Sequence, residues 1–318
     1  MLSEGEGTLM QTQVERMVKA DAALTEGRLS VAVVTSEPGF AGPPAHRHLR
    51  NDEAFYILEG EFAFSVDDEV VSAGPGAFLF VPVGAVHAFV NRGRSRGRML
   101  EIFSPADFEG YFEELASLRS AGDLTRERIS ALQERYGMEV VGPATGTEGL
   151  AMPGTHSMAW FGLADRKPAV LQVGEGRVIS TRAERTVKAD SRMTEGRFSL
   201  HVVSCEAGYQ GPPLHIHQRT DEAFFVLEGS LRFRVGEETV SVGPGGFVFV
   251  PAGTAHSFAN DSDAASRHIE LFAPGDFEAY FFERAALQAQ AKLGANEREA
   301  LLEKYGMVVV GPPLGAGG

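Results

Sequence analysis

The sequence predicts an all-β-dominated protein with two tandem domains, each a β-sandwich or barrel followed by short C-terminal α-helices. Three observations lead to this prediction. The chain repeats itself at a constant offset of 169 residues, strand-like runs are separated by Gly and Pro, and each repeat ends with helical periodicity. At 318 residues the chain has room for two ordinary domains.

The repeat extends well beyond any single motif. Residues 5–143 align with residues 174–312 without a gap, and the segments VKAD, TEGR and YGMxVVGP recur at the same offset. A match of this length indicates duplication of one fold rather than convergence of a short motif.

The duplication divides the chain into an N-terminal domain over residues 1–143, a connector over 144–173 and a C-terminal domain over 174–318. The connector is rich in Gly, Ala and Pro but carries the only tryptophan, Trp160. Because a large apolar side chain favours burial, we expect an ordered connector packed on the domains.

Charge and composition narrow the choice of partners. The net charge is −14 without a basic cluster, which argues against nucleic acid and anionic membrane surfaces as partners. No apolar run approaches the ~20 residues of a membrane span, and the N-terminus lacks the features of a signal peptide. Cys205 is the only cysteine, so no intrachain disulfide forms and a cytoplasmic location is expected.

Within each repeat the strands come first. They are β-branched or aromatic runs of strand length, bounded by turn residues. In the first repeat we predict strands over Leu29–Thr35, around His46, over Glu53–Leu58, Glu61–Val66, in VVSA, in AFLFVP, over His87–Val90 and Arg98–Phe103.

The pattern then changes to a helical period. Phe108, Tyr111, Phe112 and Leu115 fall at i, i+3, i+4 and i+7, which predicts one apolar helix face. A second helix is predicted through RERISALQERY, with Gly137 as its C-terminal cap residue.

Four side chains of each repeat are candidate metal ligands. In an HxH pair on a strand, both imidazoles point to the same face. Three imidazoles and one carboxylate suit a divalent Fe, Mn, Ni, Co, Cu or Zn ion, up to one per domain. The quartets are His46, His48, Glu53 and His87, and His215, His217, Glu222 and His256.

Strand alternation also predicts the lining of the pocket. Residues two positions from a ligand share its face, so aromatic and aliphatic side chains should surround each metal. A pocket of this kind should raise the carboxyl pKa and allow Glu53 and Glu222 to act as catalytic bases. The predicted pocket residues are Phe55, Phe89, Phe224, Phe258 and His201, the last of which has Ala32 as its counterpart.

The motifs of both repeats resemble those of the cupin superfamily. The pattern H-x-H-x4-E-x6-G is met by His46, His48, Glu53 and Gly60, and G-x5-P-x-G-x2-H-x3-N by Gly76, Pro82, Gly84, His87 and Asn91. Both patterns recur in the second repeat, although neither repeat has the glycine five residues before the first histidine. The resemblance implies two jelly-roll barrels, also called double-stranded β-helices.

Among cupins, the chain is most similar to quercetin 2,3-dioxygenase-like bicupins. This resemblance implies that a flavonol hydroxyl binds the metal and that Glu53 or Glu222 takes its proton. It also implies that O2 is added across the ring with loss of carbon monoxide, and that subunits associate through strand edges as a homodimer.

Three functions stay open at the level of sequence. The first is a dioxygenase acting on an oxygenated aromatic, flavonol-like or derived from a polyketide. The second is a metal-dependent polyketide cyclase or isomerase that does not use O2. The third is a bicupin that binds a small molecule without catalysis, which intact ligand quartets in both repeats disfavour.

Overall fold

The computed structural model describes residues 1–67, 69–144, 166–180 and 183–317. These residues form two compact units, Gly7–Glu175 and Met1–Glu6 together with Gly176–Gly318. Most of the connector, including Trp160, lies outside the described residues. None of the helices in the described ranges has the length and apolarity of a membrane span.

The first unit is built from antiparallel strands, as the alternating runs of its sequence predict. Two helices lie between its tenth and eleventh strands. The strands are β1 (Thr8–Gln11), β2 (Glu15–Ala20), β3 (Ser30–Ser36), β4 (Pro44–His48), β5 (Asp52–Glu59), β6 (Phe62–Val66), β7 (Glu69–Ala73), β8 (Phe78–Val81), β9 (His87–Asn91), β10 (Gly97–Ser104), β11 (Met138–Ala144) and β12 (Ala169–Leu171), and the helices are α1 (Glu109–Ser120) and α2 (Arg126–Arg135).

The strands of the first unit form two sheets. Within the described residues their orders are β1-β2-β3-β10-β5-β8-β12 and β11-β4-β9-β6-β7. The sheets pack on each other through aromatic rings: Phe55 of β5 lies 5.1 Å from Phe64 of β6 and 5.7 Å from Phe89 of β9, between ring centroids. Each such ring, once buried, stabilises the barrel by about 1.5–3 kcal/mol. The predicted jelly-roll architecture is confirmed.

The second unit repeats this plan. In the part of it that is described, its sheets run β13-β14-β15-β22-β17-β20 and β19-β18-β21-β16-β23. The elements are β13 (Arg177–Ser180), β14 (Glu184–Ala189), β15 (Ser199–Cys205), β16 (Pro213–His217), β17 (Asp221–Glu228), β18 (Leu231–Val235), β19 (Glu238–Val242), β20 (Phe247–Val250), β21 (His256–Ala259), β22 (Ser266–Ala273), α3 (Glu278–Ala289), α4 (Ala295–Tyr305) and β23 (Met307–Pro313).

The helices pack at one end of each barrel. The predicted apolar face of α1 is confirmed, since Tyr111, Phe112 and Leu115 cluster with Phe103 and Phe108. Helix α2 begins where the hydroxyl of Thr125 accepts a hydrogen bond from the backbone N–H of Arg128, at 3.3 Å. It ends at Arg135, and Gly137 follows with a positive φ of 65°.

The outer edge of each large sheet is covered by a segment that immediately precedes the other repeat in the chain. Leu171 of β12 pairs with Phe78 of β8. At the same offset, Leu2 pairs with Phe247 of β20. Covering an edge in this way satisfies backbone groups that would otherwise be open to a further strand.

Candidate metal centres

In the first unit the smaller sheet supplies three histidines and the larger sheet one glutamate. His46 and His48 lie on the same face of β4, and His87 of β9 lies directly opposite His46 in the register of the two strands. Glu53 stands near the start of β5. All four side chains are buried, and their ligand atoms lie within 4.8 Å of one another.

Backbone carbonyls determine which ring nitrogen faces the centre. Nδ1 of His46 donates a hydrogen bond to the carbonyl of Pro44 at 2.9 Å. Nδ1 of His87 donates to the carbonyl of Ala85 at 3.1 Å. In the neutral rings the proton therefore sits on Nδ1, and each Nε2 presents a lone pair towards the centre, as in metal-ligating histidines.

The distances between these atoms fit a bound cation. Nε2 of His87 lies 2.7 Å from Oε2 of Glu53, and Nε2 of His48 lies 3.1 Å from the same oxygen. Two lone pairs approach this closely only when a proton or a cation lies between them. Ligand atoms about 2.1 Å from one ion lie about 3 Å apart when adjacent and about 4.2 Å apart when opposite. The quartet therefore fits a divalent transition metal.

The pKa values of the first quartet are shifted because its side chains are buried and lie close together. Burial lowers the pKa of His46, as do His87 and His48. Burial also lowers the pKa of His87, but the carboxylate of Glu53 outweighs it, and the net pKa is raised. Metal binding therefore competes with protonation of this histidine.

The pKa values of the two carboxyl groups contradict one prediction from the sequence. Burial alone raises the pKa of Glu53, but the charge of His87 and the hydrogen bonds from His48 and His87 outweigh burial and hold this pKa well below its usual range. The pKa of Glu222 is lowered for the same reasons. The predicted rise was wrong because it considered the apolar surroundings and omitted the neighbouring imidazoles.

The second unit has a centre of nearly the same geometry. Nε2 of His256 lies 2.7 Å from Oε2 of Glu222, and Nε2 of His217 lies 3.1 Å from it. Nδ1 of His215 donates to the carbonyl of Pro213 at 2.8 Å. Burial, with the neighbouring histidines, lowers the pKa of His215 to about 3. Each unit therefore holds one buried metal-binding group.

A cavity of about 270 Å³ opens onto the first quartet. Aromatic side chains from the barrel, from α1 and from the residue just before it contribute to its lining: Phe40, Phe89, Phe108, Tyr111 and Phe112. Helix α2 contributes Ile129 and Gln133 to the lining. A flat apolar ligand with one polar end fits such a space.

The cavity of the second unit is larger, at about 650 Å³. It keeps an aromatic set, with Tyr209, Phe258, Phe277, Tyr280 and Phe281. Its helices α3 and α4 also place Arg284 and Arg298 in the lining. Each cavity therefore has a metal-binding quartet of the same residue types, whereas the helical residues that line the two cavities differ.

These features, together with the match of a family model to the sequence, identify the family of the chain. The model of the cupin domain matches residues 32–103 and again residues 201–272, the parts of the chain that contain the two quartets. The chain is a bicupin. Its two domains each hold one buried group of three histidines and one glutamate.

The bicupin is similar to several known proteins. It is 26% identical over 297 residues to the quercetin 2,3-dioxygenase of Bacillus subtilis, covering 87% of this chain and 82% of that protein. A variant of the oxalate decarboxylase of Bacillus subtilis superposes with a TM-score of 0.55 at 18% identity, over 96% of this chain and 88% of that one. The oxalate decarboxylase of Lactobacillus farciminis gives 0.56 at 14% identity, over 86% of each chain. At these identities the superpositions show a shared fold.

The structure separates the predicted pocket residues of the bicupin into two sets. Phe89 and Phe258 line the cavities beside the quartets. Phe55 and Phe224 belong to the same apolar clusters as Phe89 and Phe258, but neither is among the described lining residues. His201 is fully buried behind the second cavity, with its ring 5.5 Å from that of Phe272.

A buried ion pair in each wall was not identified from the sequence. Arg16 pairs with Glu101 in the first unit and Arg185 with Glu270 in the second. Both arginines line their cavities. A signal was present, since Arg16 and Glu101 keep their identity as Arg185 and Glu270 at the 169-residue offset.

Proposed function

We propose that this bicupin is a metal-dependent dioxygenase acting on an oxygenated aromatic substrate, flavonol-like or derived from a polyketide. One observation carries the proposal: in the first unit a quartet of three histidines and one glutamate lies at the floor of a cavity lined by aromatic rings. A planar phenolic substrate would stack among these rings with its hydroxyl directed to the quartet.

The four ligands would hold the metal, and two side chains beside them would position the substrate. When bound, the metal supplies Lewis acidity towards the substrate oxygen and redox chemistry with O2. Phe40 and Phe89 line the cavity next to the quartet, with ring centroids 6.0 Å apart. Their apolar surfaces would exclude water from the reacting ring and limit hydrolysis of reactive intermediates.

Glu53 is proposed as both a ligand and a proton acceptor. Its Oε2 lies within hydrogen-bonding distance of His48 and His87, whereas its Oε1 has no hydrogen-bond partner among the described residues. The lowered pKa keeps the carboxylate ionised at neutral pH, so Oε1 has a lone pair available for the hydroxyl proton. It would hold that proton weakly and pass it on readily. Glu222 is proposed to act in the same way in the second unit.

One relative supports this choice among the three functions left open by the sequence. The relative that aligns over most of the chain is named a quercetin 2,3-dioxygenase. That name suggests a flavonol and O2 as the substrates to test first. Since fold similarity alone does not determine chemistry, the reaction has to be measured.

The test is oxygen uptake by protein reconstituted anaerobically with iron, manganese, nickel or cobalt. The substrate panel contains flavonols and polyhydroxylated aromatic polyketides. We expect uptake that disappears in His46→Ala or His215→Ala, which identifies the working centre, while metal-loaded protein without substrate gives the background rate. Absence of uptake with every metal, together with binding or ring closure of a panel member, would support the cyclase or the binding protein instead.

A further inference from the structure

The helical walls of the two cavities differ in charge. Arg284 of α3 and Arg298 of α4 line the second cavity, and their counterparts in the first cavity are Leu115 and Ile129. The first cavity has one helix-borne arginine, Arg119, which is exposed at its rim. The duplication therefore kept the metal floor of both cavities and changed the wall that faces it.

Among the described residues, no side chain forms an ion pair with the two helix-borne arginines that line the second cavity. Arg284 is half-buried, and among the described residues it forms no hydrogen bond or ion pair. Arg298 donates only a long hydrogen bond of 3.4 Å to the carbonyl of Leu293. Glu222 is the only described carboxylate in the cavity lining, and it belongs to the quartet.

An unpaired, half-buried guanidinium favours an anionic partner. Arginine presents its N–H groups in a planar fork that matches a carboxylate, and partial burial strengthens the interaction. Arg185, which also lines this cavity, is already paired with Glu270 through two contacts of 3.0 Å. The anion is therefore expected at Arg284 and Arg298.

We propose that the second cavity binds an aromatic carboxylate, with the carboxylate at Arg284 and Arg298 and a phenolic oxygen at the second quartet. The ring would lie among Tyr209, Phe258 and Phe277, which line the same cavity. The first cavity would take an uncharged aromatic ligand. The position of the phenolic end rests on the proposed function, whereas the position of the carboxylate rests on the arginines.

The experiment compares para-coumarate with its methyl ester by calorimetry on zinc-loaded protein, which requires no O2. We expect the acid to bind about tenfold more tightly than the ester, as one charge-assisted hydrogen bond predicts. The double variant Arg284→Leu with Arg298→Ile installs the residues of the first cavity. It should lose the preference and keep its affinity for the ester. Arg119→Gln, the matched change in the first unit, should keep the preference.

Two results would overturn the inference: equal binding of acid and ester by the parent protein, or an undiminished preference in the double variant. Zinc content and melting temperature verify that the double variant is folded. If it is not, Arg298→Ile alone carries the test, because this side chain is exposed. A preserved acid preference without oxygen uptake would refute the dioxygenase and leave the anion site standing. Oxygen uptake without the acid preference would refute the anion site and leave the dioxygenase standing.

Discussion

Arg16 and Glu101 form a buried ion pair in the wall of the first cavity. Nε of Arg16 lies 2.8 Å from Oε2 of Glu101, and Nη2 lies 3.1 Å from Oε1, so the guanidinium and the carboxylate meet through two parallel hydrogen bonds. The remaining terminal nitrogen donates to the hydroxyl of Thr12 at 3.1 Å. The guanidinium also lies 3.6 Å from the ring centre of Phe112. The pair thus joins β2, β10 and helix α1.

The first prediction concerns loss of this pair. Arg16→Met leaves the carboxyl of Glu101 buried without its partner, and we expect the free energy of unfolding to fall by about 3–5 kcal/mol. The control is Arg28→Met, because Arg28 pairs with the largely exposed Glu26 at 3.1 Å and should contribute less than about 1 kcal/mol. Urea titration of both variants measures the difference. Equal losses would show that the buried pair contributes no more to the free energy of unfolding than the exposed pair does.

The same variant carries a pH dependence of known sign. Burial raises the pKa of Glu101 and outweighs the attraction of Arg16. Removing Arg16 raises this pKa further, so the native state of the variant binds the proton more tightly than the unfolded chain does. The loss of stability should therefore be smallest at acid pH and grow as the pH rises through the folded pKa.

The HxH half of each quartet could be predicted because its geometry is local, and Glu53 and His87 because the whole quartet recurs at the 169-residue offset. His46 and His48 are two residues apart on one strand, and strand alternation places both on one face. The pair of Arg16 and Glu101 is not local, since 85 positions separate its members and only the order of the strands brings them together. A single sequence does not reveal which of many strands are neighbours.

Strand alternation also predicted the pocket only in part. Phe55 does share the inner face of β5 with Glu53. A strand advances about 3.3 Å per residue, however, so Phe55 lies two residues further along the strand, in the sealed core. Phe89, two residues after His87 on β9, stays at the edge of the cavity. Facing the interior and lining a cavity are therefore different properties.

The second prediction concerns metal content. After reconstitution with excess metal, the parent protein should hold one ion in each of its two quartets. His46→Ala and His215→Ala should each lose one of these ions, because the remaining three ligands bind more weakly, and the double variant should lose both. Elemental analysis after gel filtration counts them. Retention of full metal content in a single variant would show that its quartet is not the site.

The third prediction concerns a glycine that the sequence motif did not explain. Gly42 has a φ of +82°, and a Cβ added there would lie 1.8 Å from the carbonyl oxygen of Phe89. Gly42→Ala must therefore move β9, which carries His87, and we expect a loss of more than about 3 kcal/mol together with weaker metal binding.

Gly39→Ala separates backbone strain from this steric clash. Gly39 has a similar φ of +72°, but nothing lies within 4 Å of its added Cβ. We expect a loss of only about 1–2 kcal/mol and unchanged metal content. Thermal unfolding and metal analysis of both variants test the comparison, and similar effects at the two positions would rule out the contact with Phe89 as the cause.

The fourth prediction concerns Glu278 at the start of α3. Its Oε1 accepts hydrogen bonds from the backbone N–H and the hydroxyl of Ser191, at 2.8 and 2.7 Å, while its buried Oε2 has no partner among the described residues. Burial outweighs these bonds and raises the pKa of this carboxyl to about 7. Since the native state holds the proton more tightly than the unfolded chain, stability is lost as the pH rises from about 4.5 to about 7.

Glu278→Gln removes that titration, because an amide keeps the acceptor for Ser191 and stays neutral. Relative to the parent, the variant should gain up to about 3 kcal/mol between pH 4.5 and pH 8. Glu109, its counterpart, accepts from the backbone N–H of Ala22 at 2.7 Å and of Asp107 at 2.9 Å, one bond on each oxygen. Glu109→Gln turns one acceptor into a donor facing an N–H, so it should lose about 1–3 kcal/mol at neutral pH. Urea unfolding across this pH range tests both signs, and a gain at both positions would mean that the two carboxyls share one environment despite their different partners.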